Sequence, residues 1–377
     1  MSVDFWKAPT PLRTDADYMR AALALARRGL GRTAENPAVG ALIVRDGVVV
    51  GQGWTQDGGR PHAERVALDA AGELSRGATM YVTLEPCSHH GKTPPCADGI
   101  VAAGISRVVS AMEDPDPRVA GKGHDILRRA GVEVVTGVCV GEALRTTLGH
   151  VLRVRENRPL VTLKLAETFD GYAAGDGHDP RLTITSAPAN ARTHVLRAQH
   201  AAIMVGIGTA QADDPLMTVR APGLEDRRPL RVVLDAKLSL SPRSRLAASA
   251  HETPVLVLSD VRADVSRANA LREAGVDVAP TPLDANGRID LKAALAILAH
   301  RGITRVFSEG GPRVGAALIA QGLADEVVLF TGPKPHGRGV QALSQEARAI
   351  LVDPKRYTLV EDTKLGPDRM RRYERVP

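Results

Sequence analysis

Hydrophobic positions in the first part of the chain alternate between a helical and a strand period. In DADYMRAALALARRGLG (15–31), apolar residues recur at helical spacing and the run closes on glycine, which predicts an amphipathic helix. AVGALIVRDGVVVGQG (38–53) is two β-rich runs around Asp-Gly, a hairpin pattern. HAERVALDAAG (62–72) predicts a helix ended by Gly72, and ATMYVTLEP (78–86) a strand. PPCADGIVAAG (94–104) opens a helix with prolines, where their missing N–H groups cost nothing. SRVVSAM predicts a strand, GKGHDILRRAG a helix, VEVVTG a strand and GEALRTTLGHVL a closing helix. Such alternation predicts a layered α/β domain.

The pattern breaks at RVRENRP, which is polar, charged and ends in Pro159. It marks a boundary: a first domain over 1–152, a linker over 153–158 and a second domain over 159–377. The second domain is again α/β. LVTLKLAETFDG, HAAIMVGIGT, LRVVLDA, TPVLVLSD, TRVFSEGG and ADEVVLFTG predict strands. SAPANARTHVLRAQ, LKAALAILAHRG and RVGAALIAQG predict helices. No internal repeat or low-complexity segment is present.

Composition narrows the class. Hydrophobic residues are 44% and charged residues 24% of 377, a globular mix. Aromatics are 3%, so the cores rest on Ala, Val, Leu and Ile. No segment approaches the roughly 20 apolar residues of a membrane helix, and the first residues lack an apolar signal core, so a cytoplasmic protein is expected. Three cysteines argue against a disulfide framework and for a reduced compartment. The net charge of +6 raises nucleic acid as a partner. The basic residues are scattered, though, and stacking aromatics are scarce. An anionic small substrate fits better.

Two of the three cysteines lie in one loop, EPCSHHGKTPPC (85–96). His62 opens a predicted helix, Cys87 follows a strand, and Cys96 sits in the first turn of the next helix, where the dipole favours thiolate. Two thiolates and an imidazole suit tetrahedral zinc with a fourth position for water. Glu64, two residues after His62, can share the pocket and move protons. Zinc deaminases carry H-x-E with P-C-x-x-C. HAE and PC are present, but eight residues separate the two cysteines instead of two. The longer loop adds His89, His90 and Lys92, all able to donate to a polar or phosphorylated substrate. Two other readings stay open: a closed site with His89 or His90 as fourth ligand, and inert buried cysteines. Cys139 reads as a small core residue. In the second domain no G-x-G-x-x-G is present. VGIGTAQADDP (205–215) is a loose likeness that a strand–turn connection would also explain. SEGGPRVGAAL (308–318) can bring backbone N–H groups to a phosphate at a helix N-terminus.

EPCSHHGKTPPC, together with NPAVGALIV (36–44) and HAE, resembles the bifunctional deaminase–reductase of riboflavin biosynthesis, over nearly the whole chain. LKLAETFDGYAA, LRAQHAAIMVGIGTAQADDPLMTVR and EGGPRVGAALIAQGLADEVVLF resemble its reductase half. The resemblance implies a cytidine-deaminase-like three-layer domain followed by a dihydrofolate-reductase-like domain that uses NADPH. It implies one zinc on His62, Cys87 and Cys96, with Glu64 as proton shuttle. Asn36, His89 and Lys92 match substrate contacts, Lys92 near the phosphate. In the reductase it implies substrate contacts at Arg197, Met217, Arg220 and Glu309. Cofactor contacts fall at Thr209, Asp213, Gly311, Pro312, Arg313, Val314, Gly315, Ala316 and Ala317. Lys164, Asp213 and Glu309 are the polar candidates for the reduction. Arg197 and Arg220 also make physical sense as phosphate forks.

The implied reactions are deamination of 2,5-diamino-6-ribosylamino-4(3H)-pyrimidinone 5′-phosphate and reduction of its ribosyl group to ribityl. The expected partners are that phosphorylated pyrimidine and further copies of the chain, without nucleic acid or membrane. The second domain departs from the family pattern where SLDG becomes TFDG (168–171), at Glu167, where a small or apolar residue is usual, and at Arg181 and Thr183, where Ser and Trp are common. A Glu167–Arg181 pair would compensate internally. The competing reading is a nucleoside or nucleic-acid deaminase whose second domain only holds nucleotide.

Overall fold

A computed structural model describes residues 14–89, 94–117, 119–176, 179 and 182–376. The chain divides into two compact units between Arg155 and Glu156.

The first unit is built on a five-stranded sheet ordered β2-β1-β3-β4-β5. Helix α1 (Asp15–Ala26) starts at a capping box, in which Thr14 Oγ1 accepts from Asp17 N and the Asp17 carboxylate accepts from Thr14 N. Strands β1 (Gly40–Arg45) and β2 (Val48–Trp54) pair as the hairpin, with Asp46 and Gly47 at φ 52° and 76°, as a tight twisted turn requires. Then come α2 (Ala63–Ala71), β3 (Thr79–Val82), α3 (Cys96–Ala102), β4 (Arg107–Ser110), α4 (Lys122–Arg129), β5 (Glu133–Thr136) and α5 (Val140–Glu156). β3, β4 and β5 run parallel to one another. Ile43, Met80, Val82 and Val108 pack against Ala63, Ala67 and Ala71 of α2, Ile100 of α3 and Leu127 of α4. Leu42, Val44, Tyr81 and Val109 face Met19, Ala22 and Leu23 of α1 and Ala143 of α5 on the other side. Three layers result.

Gly53 of β2 positions the functional end of α2. A Cβ there would lie 2.4 Å from the Ala63 carbonyl oxygen, so only glycine lets the first turn of α2 rest on the strand.

The second unit holds a nine-stranded sheet ordered β11-β10-β9-β8-β12-β6-β13-β16-β15. Its elements are β6 (Leu160–Glu167), β7 (Tyr172–Ala174), α6 (Ala187–Ala198), β8 (Ala202–Gly206), α7 (Ile207–Asp213), β9 (Leu230–Leu234), α8 (Arg245–Ala248), β10 (Val255–Ser259), α9 (Val265–Glu273) and β11 (Asp277–Pro280). These are followed by α10 (Leu291–His300), β12 (Arg305–Ser308), α11 (Pro312–Ala320), β13 (Glu326–Thr331), β14 (Val340–Gln341), α12 (Gln345–Val352), β15 (Tyr357–Leu365) and β16 (Asp368–Arg375). The strands from β11 to β13 are parallel, and β16 and β15 extend the sheet antiparallel. One face carries α10, α11 and α12. The other carries α6, α8 and α9 against Ile203, Val233, Phe307 and Phe330.

Two stretches differ from the sequence expectation. Residues 153–156, expected in a linker, are the last turn of α5. Arg158, in the stretch expected as a linker, is buried, and its guanidinium grips Asp325 through two hydrogen bonds of 2.7 and 2.9 Å. The strand expected through HAAIMVGIGT ends at Gly206, whose extended backbone caps α7, and Asp214 in the left-handed region stops that helix.

Candidate active sites

In the first unit, His62 is the N-cap of α2 and Cys96 the first residue of α3. Both helix starts point at the loop after β3 that carries Cys87. His62 Nδ1 lies 3.7 Å from Cys87 Sγ and 3.3 Å from Cys96 Sγ. The three donor atoms all lie within 4.8 Å of one another, a grouping that fits one tetrahedral ion. The Cys96 N–H donates to Cys87 Sγ at 3.3 Å, support that a metal-ligating thiolate requires.

The two thiols divide electrostatically. A hydrogen bond shared with Cys96 holds Cys87 down at about 4, against the effect of burial. The same bond, with burial, pushes the Cys96 thiol up. Glu64 is buried in the first turn of α2, and desolvation lifts its carboxyl to about 7, partly countered by His62. A carboxyl poised near neutrality can both take and give a proton.

Asn36 sits in the turn whose carbonyl accepts from Thr33 Oγ1 at 2.7 Å. Gly59 makes room for it: a Cβ there would fall 2.2 Å from Asn36 Nδ2. His89 is exposed and outside the three-donor cluster. Lys92 and His90 lie outside the described residues. Cys139 is half-buried beside the α1 core, apart from the metal cluster.

In the second unit, the ends of β6, β8 and β12 gather the predicted residues. Glu309 follows β12, and Arg197 in the last turn of α6 binds it through both carboxylate oxygens, at 2.5 and 2.9 Å. Arg197 also donates to the Thr218 carbonyl at 2.9 Å. Its fork, expected on phosphate, is thus occupied by Glu309. Burial alone would raise the Glu309 carboxyl, but Arg197, with Lys164 and His194 behind it, brings it below its ordinary range. Lys164 Nζ lies 5.9 Å from the Phe330 ring centre. Arg220 is exposed and reaches Thr218 Oγ1 at 2.9 Å, which leaves it the better placed of the two arginines for a phosphate. Met217 is buried with φ +50°, a kink that turns the 213–220 loop. His194 and Thr218 were not singled out in the sequence. Both are near in space only because α6 and this loop meet.

Gly311 caps α11, Pro312 is its first residue, and the Gly311 N–H donates to Thr209 Oγ1 of α7 at 3.1 Å. A Cβ on Gly311 would meet that oxygen at 2.9 Å. The run to Ala317 is the first two turns of α11, with Arg313 exposed and Gly315 buried against Leu165. A bare helix start of this kind fits a dinucleotide phosphate. Asp213 ends α7.

Glu167 is buried and bonds Arg348 at 2.5 Å, Thr331 Oγ1 at 3.0 Å and Arg371 at 3.5 Å. Its partners among the described residues are therefore on β13, α12 and β16, and Arg181 lies outside those residues. These groups line a cavity of about 1120 Å³ together with Asp170, Lys364 and Asp368.

Sheet order and donor geometry together define a two-unit enzyme, a zinc-dependent deaminase followed by a reductase. Residues 12–112 match the cytidine and deoxycytidylate deaminase zinc-binding region, and residues 159–368 match the RibD C-terminal domain. The riboflavin biosynthesis protein RibD of Aquifex aeolicus is 41% identical over 336 residues, 89% of this chain and 92% of that one. The chain belongs to the RibD family, the bifunctional deaminase–reductases of riboflavin biosynthesis. The Escherichia coli RibD protein is 37% identical over 368 residues, 94% of this chain and 97% of its own. Among solved structures, Acinetobacter baumannii RibD, form 2, superposes with a TM-score of 0.83 at 34% identity, covering 97% of this chain and all of that one, 100%. The Thermotoga maritima diaminohydroxyphosphoribosylaminopyrimidine deaminase/5-amino-6-(5-phosphoribosylamino)uracil reductase gives 0.82 at 32% identity, covering 96% and 99%. The first unit is cytidine-deaminase-like and the second is the family's reductase fold. Zinc serves the first unit and NADPH the second, and the substrate is a small nucleotide-like molecule. Among the described residues no helix is long and apolar enough to cross a membrane.

Proposed function

We propose that residues 1–152 deaminate 2,5-diamino-6-ribosylamino-4(3H)-pyrimidinone 5′-phosphate and residues 159–377 reduce the product's ribosyl group. The observation that carries this reading is the convergence of His62, Cys87 and Cys96 within 4.8 Å beside the buried Glu64. Those three residues would hold zinc, which would supply an activated water. Glu64 would take a proton from the attacking water as the water oxygen bonds to the ring carbon bearing the amine. The C–N bond then breaks, one water proton ends on the ring nitrogen and the other on the departing ammonia. Asn36 and the His89–Lys92 loop would hold the ring and its phosphate.

In the second unit NADPH supplies a hydride. Reduction takes it at C1′, breaks the C1′–O4′ bond and leaves one proton on O4′. Thr209, Asp213 and the 311–317 run would hold the cofactor. Glu309, Met217 and Arg220 would hold the substrate, Arg197 acting through the carboxylate of Glu309 that it grips, with Lys164 as the candidate donor of the proton. Assembly into a homo-oligomer in the cytoplasm belongs to the same reading. An exposed sheet edge at β15 with Leu359 46% and Val360 38% accessible supports the assembly.

The test follows ammonia and NADPH separately with the diamino substrate. Wild type should produce both signals. Glu64→Gln should keep its zinc and lose the ammonia signal by about a hundredfold or more, yet still oxidise NADPH when given the deaminated compound. Ammonia release at the wild-type rate from Glu64→Gln would overturn the assignment of Glu64.

A further inference from the structure

Glu85 precedes Pro86 and Cys87, is buried, and is not one of the three metal donors. Its carboxylate is collared by backbone. Oε1 accepts from Gly123 N at 2.9 Å and His124 N at 3.3 Å, while Oε2 accepts from Gly121 N at 2.9 Å and Asp114 N at 3.2 Å. Its own N–H donates to the Met112 carbonyl at 3.0 Å. The nearest side chain able to carry positive charge among the described residues is His124, 4.0 Å away, and burial lowers the pKa of that imidazole. The carboxylate is therefore met by four backbone amides, three of them at the start of α4. A buried carboxylate is costly to keep on such terms unless its geometry is useful.

The use lies two residues on. A Cβ on Gly123 would sit 1.9 Å from the Pro86 carbonyl oxygen, so the first turn of α4 presses directly on the Pro86 turn. Beyond it, the Cys87 carbonyl accepts from Ala97 N at 3.2 Å and Cys87 Sγ from Cys96 N at 3.3 Å. Cys87 is thus held from both sides, by α3 after it and by the 112–124 segment through Glu85 before it. Pro86, with its fixed φ, joins the two anchors stiffly.

We infer that Glu85 is a positioning residue for the deaminase metal, locking the Cys87 sulfur in place through this four-amide collar. The inference rests on the zinc reading of His62, Cys87 and Cys96. A carboxylate is needed because it accepts on both oxygens, whereas an amide would turn an N–H₂ toward two backbone donors.

Glu85→Gln and Gly121→Ala test it in the zinc-loaded full chain. Gly121 has φ +75° and nothing within 4 Å of its would-be Cβ, so alanine there strains one amide of the collar without touching the carboxylate. Zinc transfer to a chromophoric chelator should quicken by roughly 10- to 100-fold in Glu85→Gln and less in Gly121→Ala, as for other groups that orient metal ligands. In Co²⁺-substituted protein the thiolate charge-transfer band should shift. kcat for ammonia release should fall with little change in KM, while NADPH-dependent reduction of the deaminated compound stays intact as the fold control. A purely structural role would lower the melting temperature and leave release rate and spectrum of the folded protein alone, and that result overturns the inference. Should Glu85→Gln not fold, Gly121→Ala decides by the same readings. Wild-type zinc content in Cys87→Ser would instead refute the zinc site itself.

Discussion

Arg197 and Glu309 stand 112 positions apart in the chain and behave as one object in the structure. Both side chains are mostly buried, 12% and 15% exposed. Arg197→Met leaves a carboxylate buried without its partner, and such losses cost about 3–5 kcal/mol. We expect urea unfolding of the second unit to move down by that order, with NADPH turnover lost. Arg197→Lys should fall between, since an ammonium replaces one point of a two-point fork. The family resemblance brings both residues to the substrate, but their pairing with each other was not legible. It depends on α6 and β12 meeting, which no local pattern encodes. The Glu85 collar was illegible for a similar reason, its donors being main-chain amides. By contrast, His62, Glu64, Cys87 and Cys96 were legible as candidates, because their spacing puts His62, Glu64 and Cys96 at the starts of two helices and Cys87 in the loop after β3.

Buried His200 offers a second residue-scale test. Nδ1 meets the Leu196 carbonyl at 2.7 Å and Nε2 meets Thr162 Oγ1 at 2.9 Å, and burial lowers its pKa to about 3. As pH falls below about 6.5 the unfolded chain binds a proton that the folded one refuses until about pH 3. Stability should therefore drop through that window with a slope of up to about 1.4 kcal/mol per pH unit. Urea midpoints from pH 7 to 4.5 should fall less steeply in His200→Gln than in wild type.

At the scale of elements, α11 carries the clearest consequence. Its N-cap Gly311 has no side chain between its N–H and Thr209. Gly311→Val should weaken NADPH binding, read by nucleotide fluorescence, while ammonia release continues at the wild-type rate. The apolar periodicity made most helices and central strands legible, α1, α2, α10 and β13 among them. It failed at α7, where VGIGTAQAD continues a strand-like run and only the extended Gly206 breaks it into strand and helix. It also passed over β15 and β16. DRMRRYER has a charged residue at every second position or closer, and its strand character comes from pairing with β13, where Met370 faces Phe330 and Tyr373 faces Val327.

For the whole molecule, α5 ends at Glu156, one residue past the point where the two units divide, so one polypeptide carries both. Stoichiometry follows from that covalent fact. Every ribosome that makes a deaminase makes one reductase, and no change in expression can tilt the ratio. The balance between the steps is then a matter of turnover numbers alone, and a lesion in one half cannot be offset by more of the other. With the diamino substrate, Glu64→Gln should leave both product pools empty by chromatography. Gly311→Val should fill the intermediate pool to nearly the full amount of substrate supplied. Mixing the two variants should restore the flow through a freely diffusing intermediate, so the lag before final product appears would shorten as total protein concentration rises.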